Sequence, residues 1–439
     1  MARLVIIADD LTGAADCAAS SAALGCRATV LLHSPERREP DASWPDTDIV
    51  SIDTNSRYLP EGQASDLIGR LALRCDAHST ESPGYILYKK IDSTLRGNVA
   101  AELAALLHAR RSFKPGSAKP SILMAPSLPA QGRTTVGGRL LVRGVPLEKT
   151  DIWKAEASPA ESNIPKLLAT AGLSCGLIDT ETVRSGSMRL RHAISHSAKY
   201  NDVIICDAET DDDLCAIAAS SLGEPAITVW VGSAGLATRI SKAIGIAPDT
   251  ELHKWDFQVG SALFVVGTAS SVTREQVRTL AANPEMAIFH ATPPDLRHSS
   301  TMNAKITQSL QSGRDVLLTM DGGEGSPMLE ERFRSDEFTD LVSECGQFLG
   351  GLVATGGDTA RAILDALGIH RLRLVGEVEP GLPFSVADDW VRPLPVITKA
   401  GAFGSLQSLV RCREFLSRLE RVPADPQAKD LFLNHKSLR

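Results

Sequence analysis

The feature that most constrains this chain is a recurring unit: an apolar run of four to six residues, a short loop of Gly, Ser, Thr or Asp, then a segment of helical period. Unbroken Val/Ile/Leu runs mark strands buried on both faces of a parallel sheet, and the helical segments between them supply the crossovers that parallel strands require. The expected fold is therefore α/β, with two domains, each built on a mainly parallel sheet flanked by helices. Runs at 4–8, 28–32, 49–52, 85–89, 122–125 and 203–206 are assigned to the first half, and those at 262–266, 316–319, 352–354 and 396–398 to the second. Between them, 244–259 holds Pro248, Asp249 and Trp255 without sustained period and reads as a linker. The expected division is a domain at 1–243, the linker at 244–259, a domain at 260–425 and a polar tail at 426–439, which suits a length of 439 residues.

Helix punctuation agrees with this rhythm. An Ala-rich segment at 13–24 is closed by Gly25, and Gly368 closes a helix beginning near Thr359. Thr273 precedes Gln276 by three residues, a capping-box spacing that predicts a helix start there.

In such sheets ligands gather at the carboxyl ends of the strands. The run at 4–8 leads into Asp9-Asp10-Leu11-Thr12-Gly13. Consecutive side chains of an extended segment point opposite ways, so one of these aspartates is expected to face a cleft; helix capping is the competing reading for both. The run at 49–52 leads into Asp53-Thr54-Asn55-Ser56-Arg57, whose guanidinium suits a bidentate grip on a carboxylate. After 85–88 comes Lys89-Lys90-Ile91-Asp92-Ser93-Thr94-Leu95-Arg96-Gly97-Asn98. A ligand with one carboxylate and several hydroxyls would satisfy that set. Lys89 taken alone reads as a solvated or edge lysine, while Lys90 and Asp92 share a face. In the loop at 126–135 Arg133 could reach the cleft, although a structural turn explains the loop equally well. His192 and His196 stand i, i+4 without the Glu of a zinc-protease helix, and no metal ligand is assigned to them.

The second half carries small, flexible loops at 267–271, 321–325, 355–359 and 399–405. Glycine lets a backbone approach phosphate oxygens, and the helix N-termini that follow offer N–H donors and a favourable dipole. Neither GxxxxGK[ST] nor GxGxxG occurs, so several Gly-rich turns on one sheet, with Lys399 placed to offset phosphate charge, are the nucleotide signal. Asp358 could hold Mg²⁺ through water or cap the helix after it.

Six blocks, IIADDLTGAADCA, YKKIDSTLRGN, APSLPAQGRTT, ATGGDTA, GEVEPGLPF and KAGAFG, occur in order and together resemble the signatures of the four-carbon acid sugar kinases. The resemblance implies a sugar-acid-binding domain at 1–243, a nucleotide-binding domain at 260–425, and Mg²⁺-dependent transfer from ATP to the terminal (C4) hydroxyl of the acid. Carried over position by position, it implies substrate contacts from Asp10, Arg57 and the run Lys89, Lys90, Asp92 and Ser93. Nucleotide contacts would come from Ser270, from Gly356, Gly357, Asp358 and Thr359, and from Gly401, Ala402, Phe403 and Gly404. The KKIDST–LRGN form resembles the D-threonate or D-erythronate branch more than the 3-oxo-tetronate 4-kinase branch, which is the alternative; a non-catalytic sensor of nucleotide and sugar acid is the alternative from another class. In the mechanism expected, Arg57 with Lys90 or Arg96 anchors the carboxylate, and Asp10 or Asp92 orients the far hydroxyl and accepts its proton.

Composition narrows the partners. With 53 acidic against 46 basic residues the formal charge is −7, which provides no field to attract nucleic acid or anionic lipid. The eight cysteines form no CxxC pair and read as reduced thiols of a cytoplasmic protein, and no apolar run approaches the ~18 residues of a membrane span. The partners expected are a sugar acid and ATP, without nucleic acid or membrane; homo-oligomerisation is left open.

Overall fold

The computed structural model describes residues 3–33, 45–79, 85–113, 119–153, 161–246, 255, 257, 260–267, 270–291, 300–320, 345–401 and 403–419. They form two compact units, one of residues 1–26 with 33–247, the other of residues 27–32 with 248–439. In chain order the strands are β1 (Leu4–Ala8), β2 (Ala28–Leu32), β3 (Ile49–Asp53), β4 (Ile86–Lys90), β5 (Ser121–Ala125), β6 (Arg133–Val136), β7 (Arg139–Val142), β8 (Val145–Pro146) and β9 (Cys175–Ile178). They continue as β10 (Val203–Cys206), β11 (Ile227–Gly232), β12 (Ser261–Val266), β13 (Ala287–Ala291), β14 (Val316–Met320), β15 (Leu349–Thr355), β16 (Arg371–Glu377), β17 (Pro383–Ala387) and β18 (Leu394–Lys399).

The sheet of the first unit runs β3-β1-β4-β11-β5-β10-β9, with each neighbouring pair parallel. Its central strands are buried throughout, as in β1, where no residue of Leu-Val-Ile-Ile-Ala is exposed. Helices Leu11–Ala22, Ala234–Ala243, Asp211–Ser221 and Ser187–Ala198 pack side by side in one row, and Glu61–Ser79 packs on Val99–Phe113. Leu11–Ala22 buries Ala14, Ala15, Ala18 and Ala19, so its axis lies close enough to the sheet for Ser51 Oγ to donate to the Ala14 carbonyl at 2.9 Å. A larger side chain on that face would overpack the contact, a fault costing about 1–3 kcal/mol. Because β1 has β3 on one side and β4 on the other, strand order reverses at β1, and the loops after β3, β1 and β4 leave the same edge as neighbours. A separate antiparallel sheet, β6-β7-β8, follows β5.

The sheet of the second unit runs β13-β14-β12-β15-β18-β17-β16-β2. It is parallel from β13 to β18 and antiparallel from β18 to β2. Phe264, Leu317, Val353, Phe384 and Ile397 share its core with Leu409, Cys412 and Leu416 of the helix Ser408–Leu419, and the Phe384 and Phe415 rings meet edge to face at 4.8 Å.

Three expectations need correction. The run at 28–32 is grouped with the second unit: as β2 it pairs antiparallel with β16, Leu31 opposite Arg371 and Ala28 opposite Leu374, and gives β16 the second neighbour without which it would be an edge. The helix expected from a Thr273/Gln276 capping box begins earlier, at Ser271. Its N-cap is Ser270, whose hydroxyl accepts the Thr273 N–H at 3.1 Å, and Gln276 is drawn instead to the carbonyls of Phe403 and Ser405. Strands β6 to β9, β11, β13, β16 and β17 lie outside the expected runs, although Ile-Thr-Val-Trp-Val at the start of β11 carries the same apolar signal as its neighbours. Gly25 and Gly368, at φ 88° and 69°, follow helices ending at Ala22 and Ala366. No helix among the described residues is long and apolar enough to cross a membrane.

Candidate functional site

In the first unit, β1 delivers Asp9 and Asp10 to the carboxyl edge on opposite sides of an extended backbone. The Asp9 side chain is 4% exposed and that of Asp10 15%. Arg57, from the loop after β3, lies between them. Its Nε and Nη2 donate to the two oxygens of Asp9 at 2.7 and 3.1 Å, and its Nη1 donates to Asp10 Oδ2 at 2.8 Å. Three of five guanidinium N–H groups are thus committed within the protein. Asp10 Oδ1 also accepts the Gly13 N–H at 2.9 Å, so Asp10 caps the helix Leu11–Ala22 while staying partly exposed. Burial would raise the Asp9 carboxyl, but Arg57, Lys89 and Lys90 outweigh it and hold its pKa below the ordinary value.

Lys89 and Lys90 show what strand alternation does at the end of β4. Lys89 is fully buried, and its ammonium pairs with Glu102 Oε2 at 2.9 Å; the other oxygen of Glu102 takes the Ser56 hydroxyl. The solvated lysine expected at 89 is instead an internal ion pair, because this side of β4 faces the helix Val99–Phe113. Lys90 points the other way. A Cβ at Gly13 would lie 2.5 Å from Lys90 Nζ and 2.7 Å from Asp10 Oδ1, so glycine makes room there for the ammonium beside the carboxylate. Burial lowers the Lys90 pKa, yet Asp10 and Asp9 reverse the sign and leave it raised.

The loop after β4 is built around Asp92. Arg96 binds it side-on, Nε at 2.7 Å and Nη2 at 3.1 Å, and the Thr94 hydroxyl donates to the same carboxylate. Against burial, Arg57 and then Arg96 hold the Asp92 pKa far below the ordinary carboxylate range. Leu95 sits at φ 60° and Asn55 of the neighbouring loop at φ 50°, conformations that side chains with a Cβ seldom adopt. Asn98 Nδ2 fixes the pair of loops by donating to the carbonyls of Ser56 and Leu59, and Trp153 Nε1 donates to Thr94 O at 2.9 Å. Ser93 Oγ accepts Arg133 Nη1 at 2.7 Å. Glu102, Asn98 and Trp153 were not singled out in the sequence. An acid in the first turn of a helix passes there for a dipole or capping residue.

The second unit brings three of its four small loops together. Strands β12, β15 and β18 are parallel neighbours, so the segments beginning at Gly267, Gly356 and Ala400 leave one edge side by side. Helices Ser271–Ala281 and Gly357–Ala366 start there with their N–H groups toward that edge. Gly267 has no room for a Cβ because the Thr359 side chain packs against it, which locks the first loop to the second. Thr273 Oγ1 donates to Gly401 O, and Gln276 Nε2 reaches the carbonyls of Phe403 and Ser405 at 3.0 and 2.8 Å, locking the first loop to the third. Lys399 is buried, and its ammonium donates to the carbonyls of Ala400, Gly401 and Phe403 at 2.9–3.0 Å. Its charge therefore shapes the loop from inside, and burial pushes its pKa down to about 8. Asp358 lies in the first turn of Gly357–Ala366, and Gly404 has φ 87°. Ala402 and the loop at 321–325 lie outside the described residues. His192 and His196 are stacked on the exposed face of Ser187–Ala198, remote in kind from either cluster.

Comparison with known proteins gives a family to each part of the chain. Residues 4–240 match the family model of a sugar-binding N-terminal domain, and residues 263–409 that of a nucleotide-binding C-terminal domain. The chain is 38% identical over 424 residues to a D-threonate kinase of Cupriavidus necator, which covers 92% of this chain and 96% of that protein. It is 30% identical over 433 residues to a D-threonate kinase of Salmonella typhimurium, covering 93% and 96% respectively. Matches named 3-oxo-tetronate kinase stand at 24–26% identity. A crystal structure of a Haemophilus influenzae protein superposes with a TM-score of 0.71 over 94% of this chain and 100% of that one; at 20% identity the likeness is one of fold.

Proposed function

Because the chain belongs to the four-carbon acid sugar kinase family, we propose that it transfers the γ-phosphoryl group of ATP to the C4 hydroxyl of D-threonate, or of its stereoisomer D-erythronate. The observation that carries this reading is the placement of Asp10 beside Lys90 at the carboxyl edge of the first sheet. One is a carboxylate with lone pairs to spare, and the other an ammonium from which no described residue takes a hydrogen bond. Such a pair suits a ligand that brings both an acid and hydroxyls.

Phosphoryl transfer asks a protein to align the attacking oxygen and to spread the charge that gathers on the phosphoryl oxygens. Asp10 accepts a hydrogen bond from the acceptor hydroxyl and takes its proton as the bond from O4 to phosphorus forms and the bond to the ADP oxygen breaks. Lys90 and the two uncommitted N–H groups of Arg57 hold the substrate, with Ser93 and the Asp92–Arg96 pair bounding the hydroxyls. On the second unit, the backbone donors of 356–359 and 401–404 and the N-cap Ser270 receive the phosphates. Among the described residues no three metal-ligating side chains cluster. Asp358 would be the carboxylate to help hold Mg²⁺, which would neutralise phosphate charge when bound.

The test is ADP release from ATP and Mg²⁺ with D- and L-threonate, D- and L-erythronate and 3-oxo-tetronate. D-Threonate or D-erythronate should give the highest kcat/KM. Turnover of 3-oxo-tetronate alone would move the chain to the other branch, and ADP release with none of the acids would end the kinase reading.

A further inference from the structure

Every charged side chain of the first-unit cluster has a counter-charge except one. Arg57 is held by Asp9 and Asp10, Lys90 stands beside Asp10, Arg96 grips Asp92, and Lys89 pairs with Glu102. Arg133 has no carboxylate partner among the described residues. Its backbone is fixed at the neck of the loop after β5, where Leu128 and Arg133 exchange both backbone hydrogen bonds and Gly132 turns the chain at φ 68°. That anchoring sends the side chain to Ser93, whose Oγ takes Nη1 at 2.7 Å, and to the Gln131 amide oxygen.

The unused edge of Arg133 is informative. Arg57 and Arg96 both present Nε and Nη2 side-on to a carboxylate, Asp9 and Asp92. On Arg133, Nε is buried and without a partner among the described residues, and no described group takes Nη2. Partners raise the pKa of Arg57 and of Arg96, whereas burial lowers that of Arg133, with the Asp92 charge too weak to restore it. A half-buried guanidinium without a counter-ion is unfavourable, and the usual relief is an anion at its unpartnered edge.

Building on the kinase reading above, we infer that Arg133, steadied by Ser93 and Gln131, is the receptor for the substrate's carboxylate and so sets the preference for a four-carbon acid over the corresponding neutral polyol. Arg57, already balanced by two aspartates, then serves chiefly to position Asp10.

The experiment compares D-threonate with D-threitol, its uncharged analogue, in wild type, Arg133→Gln and Arg133→Lys, with melting temperature as a check on folding. Loss of a side-on charged contact should raise KM for D-threonate by about 30- to 300-fold in Arg133→Gln, with KM for ATP unmoved and the decline in kcat/KM carried by KM. Arg133→Lys should recover part of it. The kcat/KM measured for D-threitol should change by less than about threefold, so the acid-to-polyol preference collapses. An unchanged KM for the acid in a folded variant, or equal losses on acid and polyol, overturns the inference while the kinase reading stands. If wild type turned over no four-carbon acid, that reading would fail and this one with it.

Discussion

Lys89 gives the sharpest contrast between what a motif implies and what burial dictates. It belongs to the block whose resemblance implies substrate contact, yet its ammonium is 0% exposed and bound to Glu102 at 2.9 Å, itself 2% exposed. Replacing it by Met keeps the length of the side chain and leaves the Glu102 carboxylate buried without its cation. Removing one partner of a buried pair costs about 3–5 kcal/mol. For a unit of this size each kcal/mol moves the melting temperature by about 2–4 °C, so Lys89→Met should lower the first unfolding transition by roughly 6–20 °C. Calorimetry or near-UV circular dichroism reads this directly. The double variant Lys89→Met, Glu102→Gln removes the stranded charge while keeping an acceptor for Ser56, and should regain a large part of the loss. At a temperature where Lys89→Met is folded, KM for the acid should stay within about threefold of wild type. A variant that melts normally but loses tenfold or more in KM would show Lys89 to be a substrate ligand and the ion-pair reasoning to be wrong.

Three further outcomes follow from the same geometry. Asp10→Asn should lower kcat by about 10²- to 10⁴-fold with a smaller change in KM, and normal turnover would remove Asp10 from the proton-accepting role. Gly13→Ala would put a Cβ 2.5 Å from Lys90 Nζ; the flexible end of the lysine gives way and leaves Asp10, so KM for the acid should rise while KM for ATP does not, and unchanged values for both would refute the placement. Lys399 has its pKa pushed down to about 8 by burial, so its ammonium, which holds three loop carbonyls, loses a proton as pH rises through that value. KM for ATP should therefore climb above about pH 8 in wild type, and the inflection should vanish in Lys399→Met.

The layout of both sheets was largely legible because parallel strands declare themselves as apolar runs, and because loops at their carboxyl ends are where polar residues accumulate. Which sheet a run joins is a different matter. Ala-Thr-Val-Leu-Leu at β2 gives no sign that it pairs with Arg371–Glu377, more than 300 residues later, since nothing in a five-residue run encodes its partner. Pairing within the site was hidden for a similar reason. That Arg57 spends its Nε edge on Asp9 and not on a ligand depends on where two loops 48 residues apart come to rest. Lys89 and Lys90 are adjacent and alike, and only the packing of the helix Val99–Phe113 against β4 decides that the first pairs with Glu102 while the second, on the other face, lies beside Asp10.

The carboxylates of the cluster divide their work by how firmly they are already held. Asp92 accepts from both nitrogens of Arg96's side-on edge and from Thr94, and Arg57 adds to the field that keeps its pKa far below normal. To receive a proton it would have to surrender a charge-assisted bidentate contact, which makes it a poor base and a good fixed wall for hydroxyls. Asp9 is committed in the same way to Arg57, and Glu102 to Lys89. Asp10 differs: one oxygen holds the helix N-terminus, the other a single N–H of Arg57, and its side chain is the most exposed of the four. Three carboxylates held by cations, two loops held at positive φ by Asn55 and Leu95, and the Asn98 clamp across them make a frame in which Asp10, Lys90, Arg133 and two N–H groups of Arg57 keep bonding capacity. A frame of that kind has paid its reorganisation on folding, so charge shifting from hydroxyl to phosphoryl meets dipoles already in position.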